Sequence, residues 1–291
     1  MQGLNRSPAT IKLYTYGLKT FFNYLAEHNL ADISKVTWQN IEAYQAWLIR
    51  IRRYTGSTIE VKAKCVKRLF EYLCKAGAIL RNPAESVRSP RLEKPLPKSI
   101  LTLREVNILL STPDTNSNIG LRDRAILETF YSTGMRLSEL CNLSLPDIKA
   151  EEGIIHIRKG KGSKDRIIPI GKVACQCIQS YLNSARPLFT KGNNAETSLF
   201  VGLAGRRIHH LIVQRGVKGY AAQAGIAKHV TPHILRHTCA THMLNNGADI
   251  FFVQQLLGHK RLDTSQRYLK VVQADLKKML KQFHPREKHA N

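Results

Sequence analysis

No run of this sequence stays apolar for the ~18–20 residues that a bilayer-spanning helix needs, and no signal-peptide pattern opens it. The expected location is therefore the cytoplasm, with no membrane partner. Cysteine is sparse and scattered: Cys65, Cys74, Cys141, Cys175, Cys177 and Cys239 form neither a disulfide framework nor a zinc knuckle. Cys175 and Cys177 have one residue between them, the wrong reach for a zinc loop. Reduced, mostly buried thiols are expected. Negative charge is the scarcest commodity, with 21 Asp and Glu against 45 Lys and Arg and a net charge of +24. The first 100 residues carry 17 basic against 7 acidic side chains and the remainder 28 against 14, so the excess is not a tail effect. An extended polyanion touching two basic halves explains this better than a generally adhesive, ribosome-associated protein. At 291 residues the chain has room for two domains, each with its own core.

The first part reads as helices. Ser7-Pro8 is a helix start, with a cap followed by proline in the first turn. Apolar residues then recur at Ile11, Tyr14, Leu18, Phe21, Phe22 and Leu25. A second stripe runs through Ile41, Tyr44, Leu48 and Ile51, and a third follows Ser57 through Val66, Leu69, Phe70 and Leu73 to stop at Gly77. This predicts a small helical bundle over residues 1–82. Its basic residues gather at Arg50, Arg52 and Arg53 and at Lys62, Lys64, Lys67 and Arg68. Two such clusters among so few acids favour phosphate contact over a merely solvated helix face.

Prolines 83, 90, 95 and 97 then alternate with Arg88, Arg91, Lys94 and Lys98. That density forbids a continuous helix and predicts an extended basic linker over 83–99. The second domain, 100–291, opens on a capping box, Thr102-Leu-Arg-Glu105. A helix from about Leu121 to Thr133 closes at Gly134. From Gly153 to Ile170 two isoleucine-rich runs flank Gly160 and Gly162, which predicts a β-hairpin with a lysine-rich tip. Helix resumes after Ala174, a polar loop covers Thr190–Thr197, and no internal repeat is visible.

Thr231-Pro232 starts another helix, so His233 and Arg236 share one face of its first turn. A helix N-terminus favours a phosphate through its free N–H groups and dipole. His233 and His237 have metal-pair spacing, but no Glu follows His233 and no third ligand stands out. A helix over Ile250–Leu257 stops at Gly258 and leaves His259 just past its end, with Tyr268 nine residues on. Two histidines, an arginine and a tyrosine make a poor metal site and a good phosphodiester site. Arginine forks onto phosphate oxygens, histidine moves protons near neutral pH, and tyrosine can hold phosphate as a covalent ester.

Gly134-Met-Arg136-Leu-Ser-Glu139-Leu, Gly160-Lys161-Gly162, His233-Ile-Leu-Arg236-His237, Leu257-Gly258-His259 and Tyr268 form an ordered set. It resembles the motif set of the tyrosine site-specific recombinases, in their Xer and integrase-like branch. Each motif is weak alone; the five in order are specific, and with the helical bundle the resemblance covers nearly the whole chain. It implies a mainly α fold with a small β-sheet, in which an N-terminal helical core-binding bundle precedes an α+β catalytic domain. It also implies strand cleavage through a 3′-phosphotyrosyl intermediate, with Arg136 and Arg236 clamping the non-bridging phosphate oxygens. Charge on those oxygens grows as phosphorus is attacked, so fixed guanidinium groups favour the transition state. Tyr268 would be the nucleophile and Lys161 the acid that protonates the departing 5′ oxygen. Lys159 and Lys164 compete with Lys161, which the Gly-Lys-Gly match favours; Lys164 is otherwise a DNA contact. His233 would assist proton transfer from the tyrosine, His259 would donate a hydrogen bond to the phosphate, and Glu139 would orient the basic residues. His237 is left as a structural helix residue. Cys239 and Lys270 depart from the usual pattern without removing a catalytic position.

The resemblance implies neither metal nor ATP, since the ester conserves the energy of the broken bond; the expected cofactor is none. Its partners would be a double-stranded DNA recombination site and further protomers, identical or paralogous, as a tetramer on two duplexes, with a nucleoid location. The amphipathic tail Val271, Val272, Leu276, Met279, Leu280, Phe283 would dock on a neighbouring subunit rather than on its own domain. The absence of an appended arm-binding domain disfavours lambda-type integration. Alternatives are a type IB topoisomerase-like activity that relaxes DNA as a monomer, or a catalytically silent DNA-binding regulator. If both basic domains grip phosphates, DNA affinity falls steeply as salt rises. A nearly flat log–log plot of Kd against salt, from equilibrium titrations, would count against that grip.

Overall fold

The computed structural model describes residues 8–30, 32–50, 54–87, 100–158, 165–193, 195–258 and 276–288. The chain divides into two compact units, Met1–Leu96 and Pro97–Asn291. Among the described residues no helix is long and apolar enough to cross a membrane.

The first unit holds helices α1 (Pro8–Glu27), α2 (Trp38–Arg50) and α3 (Gly56–Lys75). Its core is aromatic: Phe21 meets Tyr44 edge-on at 4.9 Å, and Tyr24 lies 5.3 Å from Trp47. Phe22, expected inside, is 47% exposed, and Tyr24 takes the inner position. The rest of the expected stripe holds, with Phe21 and Leu25 buried, and Gly17 lets α1 press against Cys65 of α3, where a Cβ would stand 2.7 Å from the sulfur. Ala84 and Val87, assigned to the linker by the proline count, pack instead in this core. The rest of the expected linker, 88–99, lies outside the described residues.

Lys62 also corrects an expectation. It is 2% exposed, donates from Nζ to Thr20 Oγ1 at 2.6 Å, and lies over the rings of Tyr16 and Tyr54. A lysine stem packs well along apolar surface, and aromatic faces and a hydroxyl oxygen receive its ammonium there. It is not part of a solvent-facing basic surface.

The second unit is arranged around one helix. The Thr102–Glu105 capping box opens α4 (Leu103–Ser111), with both reciprocal bonds formed. α5 (Asn118–Thr133) begins three residues before its expected start, because Ser117 caps it by accepting from Gly120 N–H. The helix is buried from Ala125 to Thr133 on nearly every side, between α7 (Lys172–Ser180) and α10 (Pro232–Asn245). Its polar residues are satisfied locally: Thr129 and Thr133 donate to carbonyls one turn back, and Ser132 Oγ accepts from Gly171 N–H. The hairpin is present as β2 (Ile154–Ile157) and β3 (Arg166–Pro169), antiparallel, with Ile155 opposite Ile168 and Ile157 opposite Arg166. A two-residue strand β1 (Ile148–Lys149), unforeseen, pairs on the other side of β2. Further helices are α6 (Leu137–Asn142), α8 (Arg186–Thr190), α9 (His210–Gln223) and α11 (Ile250–Leu257).

In the single chain the described part of the tail lies on its own unit. Residues 276–283 are helical, and Leu276, Met279 and Leu280 join the core of their own unit. Polar contacts hold it there as well. His284, fully buried, accepts from Arg286 N–H at Nδ1, so Nε2 carries the hydrogen and donates to Tyr131 O at 2.9 Å. Arg286 pairs with buried Glu128, which Arg124 also reaches at 3.1 Å. Across Tyr131, the hydroxyl donates to His242 Nδ1, and His242 Nε2 donates to Leu101 O.

Both histidines are thus built in as neutral rings. Burial lowers the pKa of each, that of His284 to about 4. The unfolded chain, near pKa 6.5, binds more protons in the window between, so stability falls as pH drops from about 6.5 to about 4. The loss from His284 alone is roughly 3 kcal/mol. Urea unfolding midpoints measured across that window should decline, and a midpoint flat from pH 7 to about 4.5 would contradict these ring states.

Candidate active site

The site forms where two helix ends meet. α5 ends at Gly134 and α11 at Gly258, both left-handed, with φ of 58° and 65°. The ends of helices leave carbonyls without intrahelical donors and carry partial negative charge. Both ends offer those carbonyls to arginine. Arg236, from α10, donates through Nη1 to Gly134 O at 2.5 Å and through Nη2 to Leu257 O at 2.7 Å. Arg136 donates through Nη2 to Gly258 O at 3.1 Å. Side chains would not fit at either glycine: a Cβ at 134 would stand 2.8 Å from Leu257 Cδ2, and one at 258 would stand 2.8 Å from the Arg166 guanidinium.

Glu139 ties these pieces together. Arg136 caps α6, donating its backbone N–H to Glu139 Oε2 and its Nη1 to Oε1, both at 2.8 Å. From β3, Arg166 donates Nη1 to Oε1 at 2.9 Å and Nη2 to Oε2 at 2.8 Å, two parallel bonds onto one carboxylate. Burial alone would push the Glu139 carboxyl up; the donors from Arg166 and Arg136 outweigh it and hold the pKa down at about 2. The Arg236 pKa is lowered as well, to about 10, because the side chain loses water and has Arg136 and Arg166 nearby, with Glu139 opposing. It remains a cation at neutral pH.

His233 is exposed on the first turn of α10, which Thr231 caps and Pro232 opens. It lines one cavity of about 570 Å³ with Arg136, Ser138, Cys141, Asn142, Arg207, His209 and His210. Arg136, Glu139, His233 and Arg236 are therefore neighbours, although about a hundred residues separate the two pairs. Lys161, Lys164, His259 and Tyr268 lie outside the described residues, as do Arg52 and Arg53. Arg50, Lys64, Lys67 and Arg68 are exposed on the first unit, and Arg68 pairs with Glu71. Among the described residues no three His, Cys, Asp or Glu side chains are grouped to hold a metal ion.

Reading the sequence missed Arg166, and missed Arg207, His209 and His210 as cavity residues. A signal for Arg166 was present. Strand alternation puts it on the face of Ile168 and Ile170, which are 1% and 5% exposed, and a charge on a buried strand face needs a counter-ion.

The phage integrase family model matches residues 99–274, and the phage integrase N-terminal SAM-like domain matches residues 3–77. The tyrosine recombinase XerD of Listeria innocua serovar 6a is 37% identical over 281 residues, covering 96% of this chain and 94% of that protein. The tyrosine recombinase XerC of Pelobacter propionicus is 37% identical over 285 residues, covering 97% and 91%. A lambda integrase tetramer bound to a Holliday junction shares the fold, with a TM-score of 0.68 at 18% identity over 91% of this chain and 72% of that one. The chain belongs to the phage integrase family, as a tyrosine recombinase of the Xer kind, an enzyme of site-specific DNA cleavage and rejoining.

Replacing Glu139 with Gln leaves Arg136 and Arg166 facing each other without an anion. Breaking a buried pair from one side costs about 3 kcal/mol. Urea unfolding of Glu139→Gln at neutral pH should show a loss of that order; a change under about 0.5 kcal/mol, the range of ordinary surface substitutions, would contradict the anchoring role.

Proposed function

We propose that this recombinase acts on double-stranded DNA sites through Tyr268, with Arg136 and Arg236 as its phosphate clamp. The observation that carries the reading is the pairing of those two arginines beside one fixed anion, next to a cleft that His233 lines. Guanidinium groups held by helix-end carbonyls and Glu139 are already oriented before substrate arrives. Preorganised cations of this kind stabilise the charge that grows on the non-bridging oxygens as phosphorus is attacked.

In this reading the Tyr268 oxygen attacks phosphorus, forming a 3′-phosphotyrosyl bond and releasing a 5′ oxygen that takes its proton from Lys161. His233 assists removal of the tyrosine proton, and His259 donates to a phosphate oxygen. Glu139 carries no proton in the reaction: a carboxylate of pKa about 2 is a fixed anion at neutral pH. Rejoining is the reverse attack by a 5′ hydroxyl on the ester. Arg50, Lys64, Lys67 and Arg68 of the first unit contact DNA phosphates, with Arg52, Arg53 and Lys164 in the same role. By analogy with the lambda integrase tetramer on a Holliday junction, four protomers, identical or paralogous, act on two duplexes. The exchanged element is the C-terminal helix, leaving its own domain for a neighbour's. With DNA as substrate, the working place is the nucleoid in the cytoplasm.

A nicked suicide duplex tests the chemistry, because loss of the short leaving fragment traps the covalent intermediate. Wild type should form the adduct, Tyr268→Phe should form none, and Arg236→Ala should slow its formation about 10²–10³-fold. Adduct formation by Tyr268→Phe would show the nucleophile to be another residue.

A further inference from the structure

Arg166 belongs to none of the roles above, yet it reaches the same two parts of the site that Arg136 does, Glu139 and Gly258. It rises from β3 opposite Ile157, which is 2% exposed, so its backbone is fixed by the sheet. Both terminal nitrogens are committed to Glu139. Its guanidinium also lies against Gly258, so close that a Cβ there would stand 2.8 Å from both Cζ and Nε. Nε is buried with no hydrogen-bond partner, pressed towards the Gly258 backbone rather than turned to an acceptor. A donor buried in this way costs stability, and the fork onto Glu139 offsets it.

We propose that Arg166 is a positioning residue for strand cleavage, locking Glu139 and Gly258 into one register so that Arg136, which bonds to both, is held in place for the phosphate. The proposal rests on the cleavage reading above. Three parts of the active site converge on this side chain. Glu139 orients Arg136, Gly258 supplies the carbonyl that Arg136 holds and precedes His259, and β3 ends the hairpin whose sequence carries Lys161. Arginine is needed because the parallel pair of bonds fixes the carboxylate plane, which a lysine ammonium does not do. Among the described residues the charged groups facing Glu139 are Arg136 at the start of α6, Arg166 on β3, and Arg236 on α10. Without Arg166 the buried carboxylate loses two of its four hydrogen bonds and its pKa rises, so it takes a proton as pH falls.

The test measures single-turnover adduct formation and duplex affinity for the full chain, on a nicked suicide duplex with which wild type forms the adduct. A wild type that forms no adduct fails the cleavage reading itself and says so before Arg166 is varied. Arg166→Gln should slow adduct formation about a hundredfold while Kd for the duplex stays within a factor of about three. Its deficit relative to wild type should widen as pH falls from about 8 to about 5, over which Arg236, with a pKa of about 10, stays charged. Arg166→Lys keeps the charge without the fork; its rate should be intermediate, with a ratio to wild type that does not change with pH. Cleavage by Arg166→Gln at the wild-type rate, or equal losses of rate and affinity with a pH-independent ratio, would overturn the proposal. Should Arg166→Gln fail to fold by circular dichroism, Arg166→Lys decides: a wild-type rate in that variant overturns it.

Discussion

The carboxylate of Glu139 is the constraint on which the site depends. Three guanidinium groups stand around it, and like charges at such range repel strongly where water is scarce. A single buried anion balances Arg136 and Arg166 directly and Arg236 across the pocket. It also fixes where the cations point, since four hydrogen bonds leave one orientation for the carboxylate and one for each fork. The cluster is thus assembled with its positive charge in place and its donors oriented.

Around this anion the backbone does as much as the side chains. Gly134 and Gly258 end two helices in the same left-handed way, and the carbonyls freed at those ends are the ones Arg136 and Arg236 grip. The close approaches at both glycines explain why helix ends, rather than helix middles, surround the site. α5 delivers Gly134 from the centre of the unit, with little freedom to shift, because it is packed on nearly all sides.

The C-terminal segment shares that same helix. His284 and Arg286 bind Tyr131 and Glu128, and Leu276, Met279 and Leu280 fill the adjacent core. Any exchange of this segment between protomers must therefore replace buried polar contacts as well as apolar area, or leave Glu128 a buried anion with Arg124 as its remaining ion pair among the described residues. The arrangement couples the tail mechanically to the helix whose end, Gly134, Arg236 holds.

Much was legible in the sequence, because it rests on short-range rules. The capping box at Thr102, the proline start at 232, the glycine stops at 134 and 258, and the hairpin between Gly153 and Ile170 all follow from local backbone chemistry. The residue types of a phosphodiester site, in family order, pointed to the activity. What failed depended on packing between distant segments. Lys62 was read as a surface cation, and only the fold brings Tyr16, Thr20 and Tyr54 around it. Ala84 and Val87 were read as linker and belong to a core. Arg166 is the sharpest case. The sequence determined its strand and its face, but its partner lies 27 positions away in Glu139 and its contact farther still in Gly258. Periodicity tells that a charge is buried; only the folded chain tells which anion meets it.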